Sequence, residues 1–296
     1  MCLPQITPNR QPTNANAALA RRRPAMDRRD ILLPTENVSI DSNVLREAFQ
    51  IRSYEVDCRN RLSILAMFSF MQEAASKHAA ALGVSIHQLL SENFTWLLSR
   101  LKIKIASYPG WNDRIQVSTW PSGTQQLFAL RDFEIKDSND RIIAAAVSAW
   151  LVIDLQKRRP VRIAPFVDRL KPIEGSHILP DRLDKVAALR QNDHARNFVV
   201  RYSDLDINQH VNNVSFVEWI VEGVPPDVIK TSVPVEIEIN FLAEAFYEDQ
   251  IQSACCGIDP NTSELLHRLT RRQDGRELAR AKTVWRRVDE KEITGS

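Results

Sequence analysis

Two stretches of this chain recur at a nearly constant spacing, and this internal repeat limits the folds that the sequence can adopt. The stretch Trp150–Asp154 returns as Trp285–Asp289, 135 residues later, and Asp113–Gln116 returns as Asp249–Gln252, 136 residues later. Two separate matches at nearly one offset, in a chain of 296 residues, indicate two tandem copies of one structural unit.

A third match lies upstream of these two. Arg52–Asp57 resembles Arg201–Asp206, at a spacing of 149 residues. Because the spacing falls to 136 residues farther along the chain, the first copy carries roughly a dozen extra residues, which we assign to its helix and the following loop.

The sequence pattern of each copy predicts a strand, then a helix, then four more strands. Apolar residues recur at helical spacing over 64–82 and over 212–222, and strands are predicted before these helices at 48–57 and 196–205. A helix followed by an antiparallel run of strands is typical of a curved sheet wrapped around that helix, which is the hotdog arrangement. The predicted fold class is therefore α+β, as a tandem double hotdog.

The same pattern predicts the domain boundaries. They are a disordered N-terminal tail at 1–45, an N-terminal hotdog at 46–162, a linker at 163–195, a C-terminal hotdog at 196–290 and a tail at 291–296. The linker is predicted to be mildly helical near 181–191. Residues 1–25 contain no acidic residue and no apolar run of a secretory signal, so a disordered tail, a start at Met26 and an organelle address stay open.

The charge balance and the cysteines exclude several classes of protein. The formal net charge is only +2, so no basic excess supports the binding of nucleic acid. The longest apolar run, 142–153, is too short to cross a bilayer, and we expect no membrane insertion. The four cysteines have no metal-ligand spacing and indicate reduced thiols; we expect neither a metal nor a cofactor. A bacterial cytosol is favoured, and a plastid stroma stays open.

The densest polar cluster lies between the strand and the helix of the second copy. Asp206, Asn208 and His210 alternate there, so an extended backbone would point all three side chains the same way. The helix beginning near Asn212 would direct its free N–H groups toward them. A carboxylate, an amide, an imidazole and a place for an oxyanion are the parts that acyl transfer needs. The alternative is that Asp and Asn only cap the helix and that His210 is a structural turn residue.

This cluster, at 206–213 and followed by Trp219, resembles the active-site signature of plant and bacterial acyl-ACP thioesterases. The first copy shares further motifs with that family: Arg52–Glu55, Gln72–Glu73 with His78, Tyr108–Pro109 with Trp111, and Lys136–Ser138. The similarity extends over roughly residues 48–290. It implies a double hotdog in which the first half shapes the acyl pocket and the second half carries the catalytic residues.

The resemblance implies four catalytic residues: Asp206, Asn208, His210 and Glu244. Glu244 falls in the family's YRREC-like strand motif, where this chain has Ala245 instead of the adjacent Cys. Because Ala245 has no side chain that could attack a thioester, water activated by His210 and Glu244 is the favoured chemistry. Asn208 would stabilise the oxyanion, and Asp206 would either orient His210 or attack the carbonyl itself.

The resemblance also implies an acyl pocket and a docking surface. The candidate pocket residues, for which core packing is the alternative, are Met67, Met71, Trp96 and Phe128. The candidates for docking an acidic acyl carrier protein, for which a solvated surface is the alternative, are Arg158, Arg159, Arg271 and Arg272.

We therefore expect a thioester hydrolase that releases free fatty acid from acyl carrier protein, and a homodimer stays open. Two other functions also stay open. One is a hotdog thioesterase that acts on acyl-CoA, and the other is a non-catalytic acyl-binding protein in which Ala245 marks lost activity. Comparing turnover of acyl-ACP and acyl-CoA of equal chain length distinguishes the expected enzyme from an acyl-CoA thioesterase. A thiol-release assay distinguishes it from a non-catalytic acyl-binding protein.

Overall fold

The structure is a computed structural model that describes residues 38–41, 43–173, 175–180, 183–257 and 263–288. Its first half contains β1 (Val38–Asp41), β2 (Val44–Gln50), α1 (Ile64–Ala81), α2 (Ile86–Ser91), β3 (Phe94–Ile105), β4 (Arg114–Gln125), β5 (Phe128–Asp137), β6 (Ile142–Asp154), β7 (Arg159–Val161) and α3 (Ala164–Leu170). Its second half contains β8 (His194–Val199), a 3₁₀ turn (Tyr202–Asp204), α4 (Asn213–Glu222), α5 (Pro226–Thr231), β9 (Ser232–Phe241), β10 (Gln250–Gly257), β11 (Glu264–Arg271) and β12 (Arg276–Arg287).

The two halves have the same topology. The strands of the first half lie in the order β2-β4-β5-β6-β3, and those of the second in the equivalent order β8-β10-β11-β12-β9. Strand β3 pairs antiparallel with β9, so that the two sheets join into one continuous sheet. This arrangement is the predicted α+β tandem hotdog, and it explains the internal repeat of the sequence.

A pair of tryptophans makes the repeat visible at the level of side chains. Trp150 lies in β6 and Trp285 lies in the equivalent strand β12. The indole Nε1 of Trp150 donates to Ser148 Oγ, and that of Trp285 donates to Thr283 Oγ1, both at 2.8 Å. The motif recurs in the sequence because each half needs the same partner for a largely buried indole N–H.

Helix α1 lies against the inner face of the first half of the sheet. It begins at Ser63, whose Oγ accepts a hydrogen bond from the Ala66 N–H at 3.1 Å. Its apolar side, including Met67 and Met71, is buried in the main core together with the inward residues of β3 and the buried face of α4. Each such side chain stabilises the fold by about 1.5–3 kcal/mol relative to exposure. The predicted helix over 64–82 is therefore confirmed.

Three local predictions were wrong. Residues 38–41 and 44–45, which were assigned to the disordered tail, belong to strands β1 and β2. The strands predicted over 48–57 and 196–205 end at Gln50 and Val199, because the chain then turns toward each helix. The rest of the predicted tails, 1–37 and 289–296, lies outside the described residues.

The third wrong prediction is that the linker is mildly helical near 181–191. Its described residues 183–190 form no helix but an extended crossing of the sheet face opposite α1. Side chains of that face bind its backbone, since the Val186 N–H donates to Asn240 Oδ1 at 2.8 Å and Arg100 donates to the Leu183 carbonyl. These bonds replace the ones that a helix would have made within itself. Within the described residues, no helix is both long and apolar enough to span a bilayer.

Candidate active site

The polar cluster forms a tight turn and not the extended segment that alternation predicted. Leu205 and Val211 form an isolated antiparallel bridge, and the Asp206 N–H donates to the His210 carbonyl at 2.7 Å. Gln209 has a φ of 64°, which closes the turn. Because a positive φ breaks the alternation of an extended strand, the expected extended backbone over 206–210 was wrong.

The carboxylate of Asp206 lies inside this turn. Its Oδ1 accepts the backbone N–H of Asn208 at 2.8 Å and that of His210 at 3.2 Å. Its Oδ2 lies 3.5 Å from the side-chain nitrogen of Asn208. Asp206 therefore organises the backbone that carries the amide and the imidazole.

Helix α4 begins directly after the turn, where the sequence predicted it. Asn212 is its N-cap and accepts the Val214 N–H at 3.0 Å. The Asn212 N–H donates to the carbonyl of Asp204 at 2.8 Å, and the buried Asp204 carboxylate pairs with Arg201 at 2.8 Å. The positive end of the α4 dipole thus faces the turn that carries Asn208 and His210.

Glu244 reaches the same turn from the segment that follows β9. The Val211 N–H donates to the Ala245 carbonyl at 3.1 Å, which fixes this segment beside the turn. As a result, Glu244 Oε1 lies 3.6 Å from His210 Nδ1. The side chains of His210 and Glu244 are 40% and 51% exposed, so the pair lies at the surface.

Ala245 faces the opposite way. It is fully buried and belongs to the main hydrophobic core, whereas the neighbouring Glu244 is exposed. Its contribution to the site is the backbone carbonyl that accepts the Val211 N–H. A larger side chain at this position would enter the core and not the space beside His210.

A cavity of about 310 Å³ opens next to the turn. It lies between the second half of α1 and the sheet of the first half, and Ile207 of the turn lines it. Other lining residues are Ala75, Ala79, Trp96, Ala129 and Trp150. Its wall is predominantly apolar, which suits an aliphatic chain.

Of the four residues predicted to line an acyl pocket, Trp96 lines this cavity. Met67 and Met71 are buried in the main core instead, because they lie on the side of α1 that faces the sheet and α4. Phe128 packs against the linker beside Leu179 and under the guanidinium of Arg100, whose Cζ is 5.0 Å from the ring centroid. The structure thus keeps one of the four beside the cavity and gives three of them packing roles.

One wall of the cavity carries a buried charge. Arg131 is 8% exposed, and its Nη1 lies 3.1 Å both from His78 Nδ1 and from Thr119 Oγ1. Burial lowers the pKa of Arg131 to about 10, so that it stays charged at neutral pH. Burial, and then the charge of Arg131, lower the pKa of His78 to about 4, which keeps that imidazole neutral.

The four candidate docking arginines fall into two groups. Arg158 and Arg159 are exposed in the hairpin between β6 and β7, and Arg272 is exposed after β11. Arg271, in contrast, forms ion pairs with Asp249 at 3.3 Å and Asp274 at 2.7 Å. The hydrogen bonds from Arg271 lower the pKa of Asp274 to about 2. Arg271 is therefore committed to intramolecular pairs.

Two residues beside the site were not found from the sequence. Ile207 lines the cavity, and the ring of Phe246 meets the imidazole of His210 edge-on, with ring centroids 5.4 Å apart. Both are single apolar residues, and no spacing rule marks such residues as functional. Among the described residues, no group of three or more His, Cys, Asp or Glu side chains is placed to hold a metal ion.

Two fused hotdogs, with an amide, an imidazole and a glutamate gathered at the turn before helix α4, define a double-hotdog protein. Two family models match this chain: the N-terminal domain of acyl-ACP thioesterase at residues 42–169 and the C-terminal domain at residues 187–287. The chain belongs to the acyl-ACP thioesterase family.

Known relatives agree with this assignment. The chain is 30% identical over 271 residues to the chloroplastic palmitoyl-acyl carrier protein thioesterase of Arabidopsis thaliana, covering 83% of this chain and 64% of that protein. It is 28% identical over 263 residues to the enzyme of the same name from Cuphea hookeriana, covering 83% of this chain and 63% of that protein. The chain thus spans less than two thirds of the length of these relatives.

Two solved structures are similar as well. The 12:0-ACP thioesterase from Umbellularia californica superimposes with a TM-score of 0.77 at 25% identity, covering 84% of this chain and all of that one. An acyl-ACP thioesterase from Bacteroides thetaiotaomicron superimposes with a TM-score of 0.72 at 25% identity, covering 82% of this chain and 98% of that one.

Proposed function

We propose that this protein hydrolyses the thioester between a fatty acyl chain and acyl carrier protein, releasing the free fatty acid. The observation that carries the proposal is the 3.6 Å contact between Glu244 Oε1 and His210 Nδ1, on a turn whose Ile207 lines an apolar cavity. An imidazole–carboxylate pair suits activation of water, and the cavity suits the alkyl chain. Family membership and the names of the relatives, which are acyl carrier protein thioesterases, support the same reaction.

The proposed mechanism needs no protein nucleophile. His210, whose Nδ1 faces Glu244 at 3.6 Å, takes a proton from water, and the water oxygen attacks the thioester carbonyl. Asn208 and the positive end of the α4 dipole stabilise the oxyanion, for which a single donor is typically worth ~10²–10³ in rate. The carbon–sulfur bond then breaks, and the carrier thiol leaves with the proton held by His210.

The alanine at position 245 is compatible with this mechanism. Ala245 is buried in the core behind Glu244, and its neighbours there are apolar. A thiol in such surroundings would have a raised pKa and would be a poor nucleophile. The replacement of the family Cys by Ala245 therefore removes no group from the proposed chemistry.

We further propose that the carrier protein approaches through Arg158 and Arg159. Strand β6 ends at Asp154, opposite Phe94 at the start of β3. Strand β9 runs antiparallel to β3 and leads toward Glu244 at that same end of the sheet. The hairpin that carries the two arginines and the candidate active site thus share one end of the molecule. An acidic carrier protein would be attracted to these exposed cations. This reaction belongs in a compartment that holds carrier protein, such as a bacterial cytosol or a plastid stroma.

The test is a thiol-release assay on acyl-ACP and acyl-CoA with the same acyl chain. We expect the wild-type protein to release thiol from acyl-ACP and to release little thiol from acyl-CoA. If the wild-type protein binds acyl-ACP without releasing thiol, it is an acyl-binding protein instead. Faster turnover of acyl-CoA than of acyl-ACP would make it an acyl-CoA thioesterase.

A further inference from the structure

The first half of the protein contains a second copy of the active-site turn. Val56 and Leu62 form an isolated bridge there, as Leu205 and Val211 do in the second half. The Asp57 N–H donates to the Arg61 carbonyl at 2.7 Å, which repeats the 2.7 Å bond from Asp206 to His210. Asn60 has a φ of 56°, close to the 64° of Gln209.

The aspartate carboxylates are bonded in the same way in both turns. Asp57 Oδ1 accepts the N–H groups of Arg59 at 2.8 Å and Arg61 at 3.0 Å. Asp206 Oδ1 accepts those of Asn208 at 2.8 Å and His210 at 3.2 Å. Each turn is followed by a helix capped by a polar side chain, Ser63 in one half and Asn212 in the other.

The other positions of the site differ between the halves. Arg59 stands where Asn208 stands, and Arg61 stands where His210 stands. The Leu62 N–H donates to the Pro109 carbonyl, as the Val211 N–H donates to that of Ala245, so that Tyr108 corresponds to Glu244. The first turn thus keeps the aspartate and lacks the amide, the imidazole and the glutamate of the second.

This internal comparison separates the folding of the turn from its chemistry. A turn without the amide, imidazole or glutamate still needs an aspartate whose Oδ1 accepts two backbone N–H groups. In the active-site turn, Glu244 contacts the ring of His210 at 3.6 Å, whereas among the described residues Asp206 meets His210 through the backbone N–H. We infer that Asp206 is a positioning residue, which holds the backbone of Asn208 and His210 and neither attacks the carbonyl nor accepts a proton. This inference rests on the proposed hydrolase function.

The test compares Asp206→Asn with Asp206→Ala. The amide oxygen of Asn accepts the same two N–H groups but is a poor base and nucleophile, whereas Ala offers no acceptor. We expect Asp206→Asn to keep kcat on acyl-ACP within about tenfold of wild type with an unchanged pH profile, and Asp206→Ala to lose more than about a hundredfold. If Asp206→Asn keeps the turn intact and is nevertheless as inactive as Asp206→Ala, the inference is overturned.

Amide hydrogen exchange reports the turn without reference to activity. Exchange at the Asn208 and His210 N–H groups should speed up in Asp206→Ala and stay at the wild-type rate in Asp206→Asn. The matched variants Asp57→Ala and Asp57→Asn should have the same effects on Arg59 and Arg61. Unchanged exchange in Asp206→Ala would overturn the positioning role. A wild-type protein that releases no thiol refutes the proposed function, and the exchange data still decide whether Asp206 holds the turn.

Discussion

Glu244 Oε1 lies 3.6 Å from His210 Nδ1, although α4, α5 and β9 separate the two residues along the chain. One backbone hydrogen bond, from the Val211 N–H to the Ala245 carbonyl, holds the two segments together. The contact is longer than a hydrogen bond and both side chains are half-exposed, so the pair has room for water. Its chemistry, the cavity beside it and the surface around it each lead to a measurable expectation.

The carboxylate of Glu244 should be needed for turnover. Glu244→Gln keeps the size of the side chain but removes the charge that supports His210 as a base, and general-base assistance typically contributes ~10²–10⁴ in rate. We expect a loss of kcat in that range on acyl-ACP, measured by thiol release. Glu248→Gln is the matched control, because Glu248 is exposed on the same segment. Equal losses in the two variants would contradict the assignment.

The cavity should set the length of the acyl chain that is released. Ala79→Phe places a ring in a cavity of about 310 Å³, and each methylene that no longer fits costs about 0.8 kcal/mol of burial. We expect the free acids released from a mixed acyl-ACP pool to become shorter by chromatographic analysis. Ala188→Phe, on the exposed linker, should leave the product lengths unchanged. Identical product profiles for both variants would assign the cavity no role.

A substitution at Met71 should act on stability and not on chain length. Met71 is 2% exposed in the main core, so Met71→Trp overpacks that core and should cost about 1–3 kcal/mol of unfolding free energy. Denaturant unfolding measures the loss. A shift in product length without a loss of stability would place Met71 beside the acyl chain after all.

The exposed arginines of the β6–β7 hairpin should control the affinity for carrier protein. Reversing the charge at Arg158 and Arg159 should raise KM for acyl-ACP about tenfold, weaken the salt dependence of binding, and leave KM for acyl-CoA unchanged. Arg114→Glu is the control, because Arg114 begins β4 at the opposite end of the sheet. Salt-insensitive binding of carrier protein by the wild type would rule out this docking surface.

Stability should fall as the pH drops from about 6.5, because buried histidines resist protonation. Burial lowers the pKa of His267 to about 3, from an ordinary value of 6.5. As the pH falls, the unfolded chain binds the proton first, so the stability present above pH 6.5 is lost progressively toward pH 3. Relative to wild type, His267→Gln should flatten the plot of unfolding free energy against pH, and His87→Gln, on an exposed histidine, should leave its slope unchanged. A wild-type slope in His267→Gln would contradict this account.

The sequence determined the parts of the protein that depend on periodicity and local chemistry. The repeat of Trp150 in Trp285 predicted two equivalent halves, and the helical spacing predicted α1 to within one residue, because burial on one face imposes a pattern that survives divergence. The polar residues at 206–210 were recognised because an amide, an imidazole and a carboxylate before a helix are a rare combination.

Only the tertiary structure decided which residues meet. Alternation suggested an extended segment at Asp206, but the carboxylate instead closes a turn, since a side chain that binds its own backbone competes with a strand. Apolar character alone could not assign Met71 to the core and Ile207 to the cavity, because both are apolar and their surroundings depend on packing. The approach of Glu244 to His210 likewise depends on how β9 returns through the sheet, a long-range pairing that no local pattern encodes.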